Sequence, residues 1–296
     1  MNDWQSKTNI DEWISRIRTI GAFMNIIIAI KQVPETSDVQ MDKETGTMIR
    51  SGSKSIVNPL DLYALETALM LKELHGGTVT VLTMGPASAV KVLKEAIAMG
   101  CDKAVHLSDR VFGGSDTWAT SYVLAKAVEK LGIPDLIITG ERATDGDTGQ
   151  VGPALASWLD MALISYVSSV DIVEGDHLVA ERLIEEGYQK VRSKLPALIT
   201  VVKEIASPRL PTLSGKKRSI ASTIPVWGAE DIGCDVSFIG LKGSPTRVVK
   251  IETPSVTRHC TVVQTTDDAS ITEAVDQLFS FLEEKNLLPK KGENHA

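Results

Sequence analysis

One stretch of the chain combines glycine, hydroxyl and acidic residues at a spacing suited to holding a bulky anion. It reads Gly140-Glu-Arg-Ala-Thr-Asp-Gly-Asp-Thr-Gly-Gln-Val-Gly-Pro153. A strand-length apolar run, Leu136-Ile-Ile-Thr139, precedes it, and a helical pattern follows to about Asp160. In parallel α/β sheets ligands bind at the carboxyl ends of strands, so the location suits a binding turn. Gly146, Gly149 and Gly152 let the backbone approach a ligand closely, and the free N–H groups and dipole of a helix start favour negative charge. Phosphates would rest on residues 144–152, with Thr144 and Thr148 as added hydroxyl donors. Asp145 and Asp147 would repel phosphates that they faced, so they are expected to cap the helix or bond ribose hydroxyls. The plainer reading is a tight strand-to-helix loop with ordinary capping. The turn matches neither the GxGxxG dinucleotide fingerprint nor the GxxxxGK[ST] phosphate loop.

Other residues that do chemistry in proteins are poorly placed for it here. His75, His106, His177, His259 and His295 share no ligand-like spacing with one another or with cysteine, so no metal site is expected. There is no Gly-x-Ser-x-Gly elbow and no cysteine–histidine nucleophile pattern. Glu185-Glu186 and Asp267-Asp268 read as turn or surface acids. Gly113-Gly-Ser-Asp116 precedes another helical stretch, where Ser115 or Asp116 is expected as an N-cap. No side chain qualifies as catalytic, and any chemistry would be a cofactor's.

The elements that must position the turn alternate regularly. Residues 25–30, 78–84, 104–107 and 136–139 are short apolar runs of the kind buried in a parallel sheet. Between them lie helical patterns. One opens at Asn58-Pro59 and stops at Gly76-Gly77, one covers Val90, Leu93 and Ile97, and one runs from Asp116 to Leu131. This βαβα series implies a mostly parallel sheet with helices on both faces. Residues 166–173, 177–184 and 189–191 then read as antiparallel strands, and residues 197–203 as one more buried strand. Residues 207–225 turn to Pro, Ser, Lys and Arg with no apolar period, which predicts an exposed arm or linker. Residues 271–288 carry the last strong helix pattern.

The division expected is an N-terminal extension over 1–23, an α/β domain over 24–205 and a C-terminal arm over 206–296 with its terminal helix. Lys plus Arg total 31 against 38 Asp plus Glu, and a net charge of -7 argues against nucleic-acid or anionic-membrane binding. The apolar runs fall well short of the roughly 20 residues that span a bilayer. Cys101, Cys234 and Cys260 are few, unpaired in spacing and far apart, which suits a reduced, cytoplasmic setting.

A longer signature is carried by Ala180-Glu-Arg-Leu-Ile-Glu-Glu-Gly-Tyr-Gln-Lys-Val-Arg-Ser-Lys-Leu-Pro-Ala-Leu-Ile-Thr200. Together with Ala29-Ile-Lys-Gln-Val-Pro34, Asn58-Pro-Leu-Asp61 and the turn at 145–153, it resembles the electron transfer flavoprotein beta subunit over residues 24 to about 254. The resemblance implies an adenine-nucleotide alpha-hydrolase-like α/β fold and pairing with an alpha subunit that carries FAD. Nucleotide contacts would fall on Ala29, on Asn58, Pro59, Leu60 and Asp61, and on Met84. The set closes with Gly140, Arg142, Ala143, Thr144, Asp145, Gly146, Asp147, Thr148, Gly149, Gln150 and Val151. The loop beginning Lys31-Gln-Val-Pro34 resembles the class in which the beta subunit holds FAD, accepts a hydride from NADH and bifurcates the electrons. One electron then goes to ferredoxin or flavodoxin, the other through the alpha-subunit FAD to a flavin-dependent dehydrogenase of acyl-CoA or hydroxy-acid type. The alternative within the family is a beta subunit holding AMP as a structural ligand. The resemblance further implies a flavin ring near Lys31 to Pro34, Arg142 as a partner for its charge or a surface ion pair, and Leu213 as an anchor in the dehydrogenase.

Overall fold

In the computed structural model, the structure describes residues 23–35, 55–173, 176–249 and 261–288. Residues 1–22 and Cys260, for which expectations are given above, lie outside them. The chain forms two compact units, Met1–Lys250 and Ile251–Ala296.

The first unit is built on a sheet in which an interior strand, β1 (Met24–Ala29), is apolar on both faces. Alternation along a strand sends neighbours to opposite sides. Ile26 and Ile28 accordingly join one core cluster, and Ile27 joins the other. After β1 the chain makes a small antiparallel pair, β2 (Gln32–Pro34) with β3 (Ser55–Val57). Helix α1 (Pro59–His75) follows, with Pro59 in its first turn as expected. Then come β4 (Gly77–Met84), α2 (Val90–Met99), β5 (Lys103–Leu107), α3 (Thr117–Leu131), β6 (Leu136–Gly140) and α4 (Val151–Trp158).

Strand order puts β4 and β5 on one side of β1 and β6 on the other, all parallel. Leu65 and Leu69 of α1 and Leu93 and Ile97 of α2 pack with Ile26 and Ile28, whereas Val123 and Val128 of α3 and Leu155 of α4 pack with Ile27. The sheet is therefore covered by helices on both faces, and its direction of growth reverses between β1 and β6. Burying each of these large side chains contributes about 1.5–3 kcal/mol.

Beyond β6 the sheet continues as β10 (Ala197–Val201) and β7 (Ala162–Val173), then β8 (His177–Ile184) and β9 (Gly187–Lys194). β10 pairs in parallel with both β6 and β7, and β7, β8 and β9 are antiparallel. The expected mostly parallel α/β sheet with an antiparallel extension is what the structure shows.

Residues 207–225 differ from the sequence expectation of an arm or linker. They contain a helix, α5 (Leu213–Ala221), started by the Thr212 hydroxyl accepting from the Gly215 N–H at 2.9 Å. Its attachments are polar: Arg218 donates to the Ile97 carbonyl and the Ser219 hydroxyl to the Lys94 carbonyl, both on α2. A hydrophobic period is not needed to hold such a helix, so its pattern was silent. Residues after it return to the sheet as β11 (Val226–Trp227), parallel to β5, and Ile232 and Ile239 are buried in the second cluster. A short helix, α6 (Gly240–Gly243), follows. The second unit contains α7 (Asp268–Glu284), with Asp267 and Ser270 forming a capping box. Asp116 caps α3 by accepting from the Trp118 and Ala119 N–H groups.

At the base of β4, Gly77 has φ +121° and a Cβ there would stand 2.0 Å from the Met24 carbonyl oxygen. Gly77→Ala should lower stability by more than about 2 kcal/mol through strain and displacement of β1. Thermal denaturation checks this, and an unchanged midpoint would contradict the β1–β4 register at that end.

Candidate functional site

The carboxyl ends of β4, β1 and β6 lie side by side, which brings Met84, Ala29 and Gly140 to one edge. The chain grows from β1 toward β4 in one direction and resumes at β6 in the other, so this edge is the crevice where doubly wound sheets bind ligands. Two helices begin there, α1 after Asn58 and α4 after Gln150, and neither has a side-chain cap. Pro59 and Pro153 carry no N–H and the Asp61 N–H is bonded to the Asn58 carbonyl, which leaves the N–H groups of Leu60 in α1 and of Val151 and Gly152 in α4 for a ligand, and both dipoles favour an anion.

Asn58 occupies the N-cap position but its side chain turns away from α1. Its amide nitrogen donates to the Arg142 carbonyl at 2.9 Å and its amide oxygen accepts from the Thr144 N–H at 3.1 Å. One buried side chain thereby staples the start of α1 to the glycine-rich turn. Asp61 closes the same junction. Its carboxylate accepts from the Lys31 N–H at 2.7 Å, while the Asn58 N–H donates to the Lys31 carbonyl at 2.8 Å. Burial pushes the Asp61 carboxyl up to about 7, against donors on Asn58, Lys31 and Gly140 that favour the anion.

The glycines of the turn divide by role. A Cβ on Gly140 would lie 2.5 Å from the Asp61 carboxylate and 2.9 Å from the Leu60 carbonyl, so only glycine lets α1 start against the end of β6. Gly149 has φ +63°, the left-handed conformation that reverses the chain into α4. Gly152 packs tightly on the sheet: its Cβ would meet Thr200 Cγ2 at 2.7 Å and Thr139 Oγ1 at 2.8 Å. Gly146 has open space around it. The expectation that all three glycines of 146, 149 and 152 face an anion therefore narrows, because Gly152 serves helix-to-sheet contact.

Asp145 and Asp147 do not cap α4, whose N-cap is Gln150. Asp145 accepts from Lys31 Nζ at 2.6 Å, and Asp147, with φ +52°, lies 3.2 Å from Arg142 Nε. Three residues, the left-handed Gly149 among them, separate Asp147 from the helix start, and five separate Asp145 from it. Arg142 is half-exposed and also lies 3.5 Å from Glu141. These solvent-exposed pairs contribute about 0–1 kcal/mol each and mainly set which charges face the crevice.

All the cofactor residues expected from the sequence gather at this edge: Ala29 and Lys31; Asn58, Pro59, Leu60 and Asp61; Met84; and Gly140 with Arg142 through Val151. Leu213 lies elsewhere, on α5 beside α2. Sequence reasoning missed Tyr166, a bulky residue with φ +58° at an irregularity in the β7–β10 pairing. Its N–H donates to the Thr200 hydroxyl and its own hydroxyl lies 3.7 Å from where a Gly149 Cβ would be. No sequence signal marks a left-handed tyrosine. A recess of about 420 Å³ between Lys126, Lys130 and Asp231 contains none of the expected residues. No cluster among the described residues is arranged to hold a metal ion, and none of their helices is long and apolar enough to cross a membrane.

Two uncapped helix starts, a left-handed glycine and the buried, unpartnered Thr139 hydroxyl define an α/β protein whose switch-point crevice fits a phosphate-bearing group. The Electron transfer flavoprotein domain matches residues 45–230. The electron transfer flavoprotein subunit beta of Thermoanaerobacterium thermosaccharolyticum is 43% identical over 266 residues, covering 90% of this chain and 100% of the relative. The caffeyl-CoA reductase-Etf complex subunit CarD of Acetobacterium woodii is 42% identical over the same shares. Protein FixA of Azorhizobium caulinodans is 40% identical over 86% of this chain and 94% of its own. The chain belongs to the electron transfer flavoprotein family, as a beta subunit. Membership implies a role in electron transport, association with a flavin or nucleotide, and an alpha-subunit partner.

Asp61 gives this site a pH signature. Folding raises its pKa to about 7 from the ordinary aspartate value of about 4, so its contribution to stability is fully present below about pH 4 and is lost as pH rises through 7. Asp61→Asn should remove that slope, about 1.4 kcal/mol per pH unit at most. Denaturation of both proteins from pH 5 to 8 checks this, and parallel profiles would contradict a buried carboxyl that charges late.

Proposed function

We propose that this chain is the FAD-binding beta subunit of a cytoplasmic, electron-bifurcating flavoprotein heterodimer. The observation that carries the reading is the cradle where α1 and α4 begin, joined by Asn58 and left open to an anion by the absence of side-chain caps. The turn at residues 145–152 and the start of α4 would hold the FAD diphosphate, with Ala29, Met84 and Asn58 to Asp61 as further contacts. Lys31-Gln-Val-Pro34, at the first loop, supports the bifurcating class, and the relative named as part of a caffeyl-CoA reductase complex is consistent with it.

FAD held there would supply hydride acceptance from NADH and one-electron transfer, to ferredoxin or flavodoxin and, through the alpha-subunit FAD, to a flavin-dependent dehydrogenase. The residues of this chain bind and orient. Lys31, held by Asp145, and Arg142, held by Asp147, set positive charge at the rim without placing it loose in the crevice. Asp61 fixes the Lys31 backbone, and so the start of the loop beside the flavin ring. Leu213, 75% exposed on the surface, is the anchor for the dehydrogenase.

Counting cofactors in the purified heterodimer tests the reading: two FAD per pair are expected, and one FAD with one AMP would establish the structural-ligand class instead. Gly149→Glu tests the cradle. A side chain at φ +63° costs about 1 kcal/mol, and its Cβ would meet only the Glu141 carbonyl oxygen at 3.4 Å and the Tyr166 hydroxyl at 3.7 Å, while the added carboxylate brings negative charge into the turn. The variant should fold and lose the beta-bound nucleotide; retention of it at wild-type stoichiometry would reject the placement.

A further inference from the structure

Tyr166 holds a conformation that a bulky residue rarely takes, with φ +58° inside β7. The strand departs from regular pairing on both sides of it. Against β10 the register passes from Ile164 opposite Ile199 to Val167 opposite Val201, so Thr200 faces two residues, Ser165 and Tyr166. Against β8 it shifts again between Val167 and Ser169. An extra residue of this kind is a bulge, which bends a strand and re-aims a side chain.

The bulge decides where the ring goes. In regular alternation residues 164 and 166 would share a face. Here Ile164 and Val167, three apart, are buried in the same core cluster, and Tyr166 is 44% exposed. The extra residue thus takes the tyrosine off the core face. Its N–H donates to the Thr200 hydroxyl at 3.0 Å. Thr200 is itself buried, with its methyl so close under the first turn of α4 that a Gly152 Cβ would stand 2.7 Å from it. One threonine therefore ties the strained residue to the helix start that closes the candidate site.

Backbone strain persists only where the surroundings over-determine it, and it gathers at binding sites. Core packing does not account for it here, because the ring is half-exposed. What the strain delivers is a phenol beside the glycine-rich turn. The hydroxyl lies 3.7 Å from where a Gly149 Cβ would be, and the Glu141 carbonyl oxygen lies 3.4 Å from the same point. Left-handed Gly149 is flanked by one oxygen that can only accept and one that can donate. Among the described residues no hydrogen bond engages the Tyr166 hydroxyl.

We propose that Tyr166 is a further nucleotide-binding residue: the bulge in β7 turns its phenol to Gly149, where the hydroxyl donates to a phosphate oxygen of the nucleotide held on the turn. The inference rests on the reading of residues 144–152 as the phosphate seat, and it extends that seat to β7, two strands beyond β6. It applies to FAD and AMP alike, because the group recognised is a phosphate.

The test titrates FAD, and AMP in parallel, into the nucleotide-stripped heterodimer. Tyr166→Phe removes the hydroxyl alone. It should raise Kd about tenfold for whichever nucleotide the wild type binds, with the thermal midpoint of the stripped protein unchanged. Tyr166→Gly removes ring and strain together, since glycine takes φ +58° freely. It should bind at least as weakly as Tyr166→Phe, with a stripped midpoint near wild type. A wild-type Kd in the folded Tyr166→Phe heterodimer would overturn the proposal. A loss of affinity seen only in Tyr166→Gly, together with a lowered midpoint, would assign the ring to packing and overturn it as well. Gly149→Glu in the same titration separates this inference from the one beneath it. If Gly149→Glu releases the nucleotide while Tyr166→Phe binds like wild type, the seat stands and the role of the tyrosine is wrong. If Gly149→Glu also binds like wild type, the seat itself is misplaced and this inference falls with it.

Discussion

The structure turns on how closely the start of α1 approaches the end of β6. Gly140 has no side chain to fend off Leu60 and Asp61, and Asn58 uses both ends of its amide to tie α1 to the turn beyond β6. Each element here is positioned by another. The turn could not hold its shape without Asn58, and Asn58 could not reach it if residue 140 carried a Cβ. The buried Asp61 carboxylate completes the junction by holding the backbone of Lys31, which leaves β1. Three segments far apart in the chain are thereby fixed to one another by backbone-directed hydrogen bonds.

That junction explains why a flavin or nucleotide suits the family site. Uncapped helix starts are costly when buried and useful when an anion can reach them. The acidic residues of the turn do not oppose this, because Asp145 and Asp147 are engaged with Lys31 and Arg142. Helix α1 extends from the junction to a second polar attachment, the Glu66 and Glu73 grip on Arg209. One helix thus organises the cradle at its first turn and fastens the segment before α5 along its length.

Much of the fold is legible in the sequence because burial leaves a pattern. Residues 25–30 are apolar on both faces and can only be an interior strand, and Asn58-Pro59 with Gly76-Gly77 brackets α1 nearly to the residue. The β2–β3 pair escaped notice because three-residue strands carry no period. Helix α5 escaped because its attachment to α2 is through Arg218, Ser219 and the close contact of Gly215 rather than an apolar stripe. At the site, residue types and their location at strand ends pointed to the right crevice. The partners of polar groups were not readable: Asn58 bonds the turn instead of its own helix, the two aspartates bind cations instead of capping α4, and Tyr166 takes a conformation that no composition signals. Hydrogen-bond partners across more than a hundred residues, as between Arg209 and Glu66, depend on a tertiary arrangement that one sequence does not spell out.

The central claim is that the Asn58-stapled junction is the nucleotide seat, and it is tested most directly by titrating FAD into the nucleotide-stripped heterodimer, wild type against Asn58→Ala. The account predicts weaker binding by about tenfold or more in the variant, with the thermal midpoint of the stripped protein lowered only modestly. Equal affinities in the two folded proteins would contradict it.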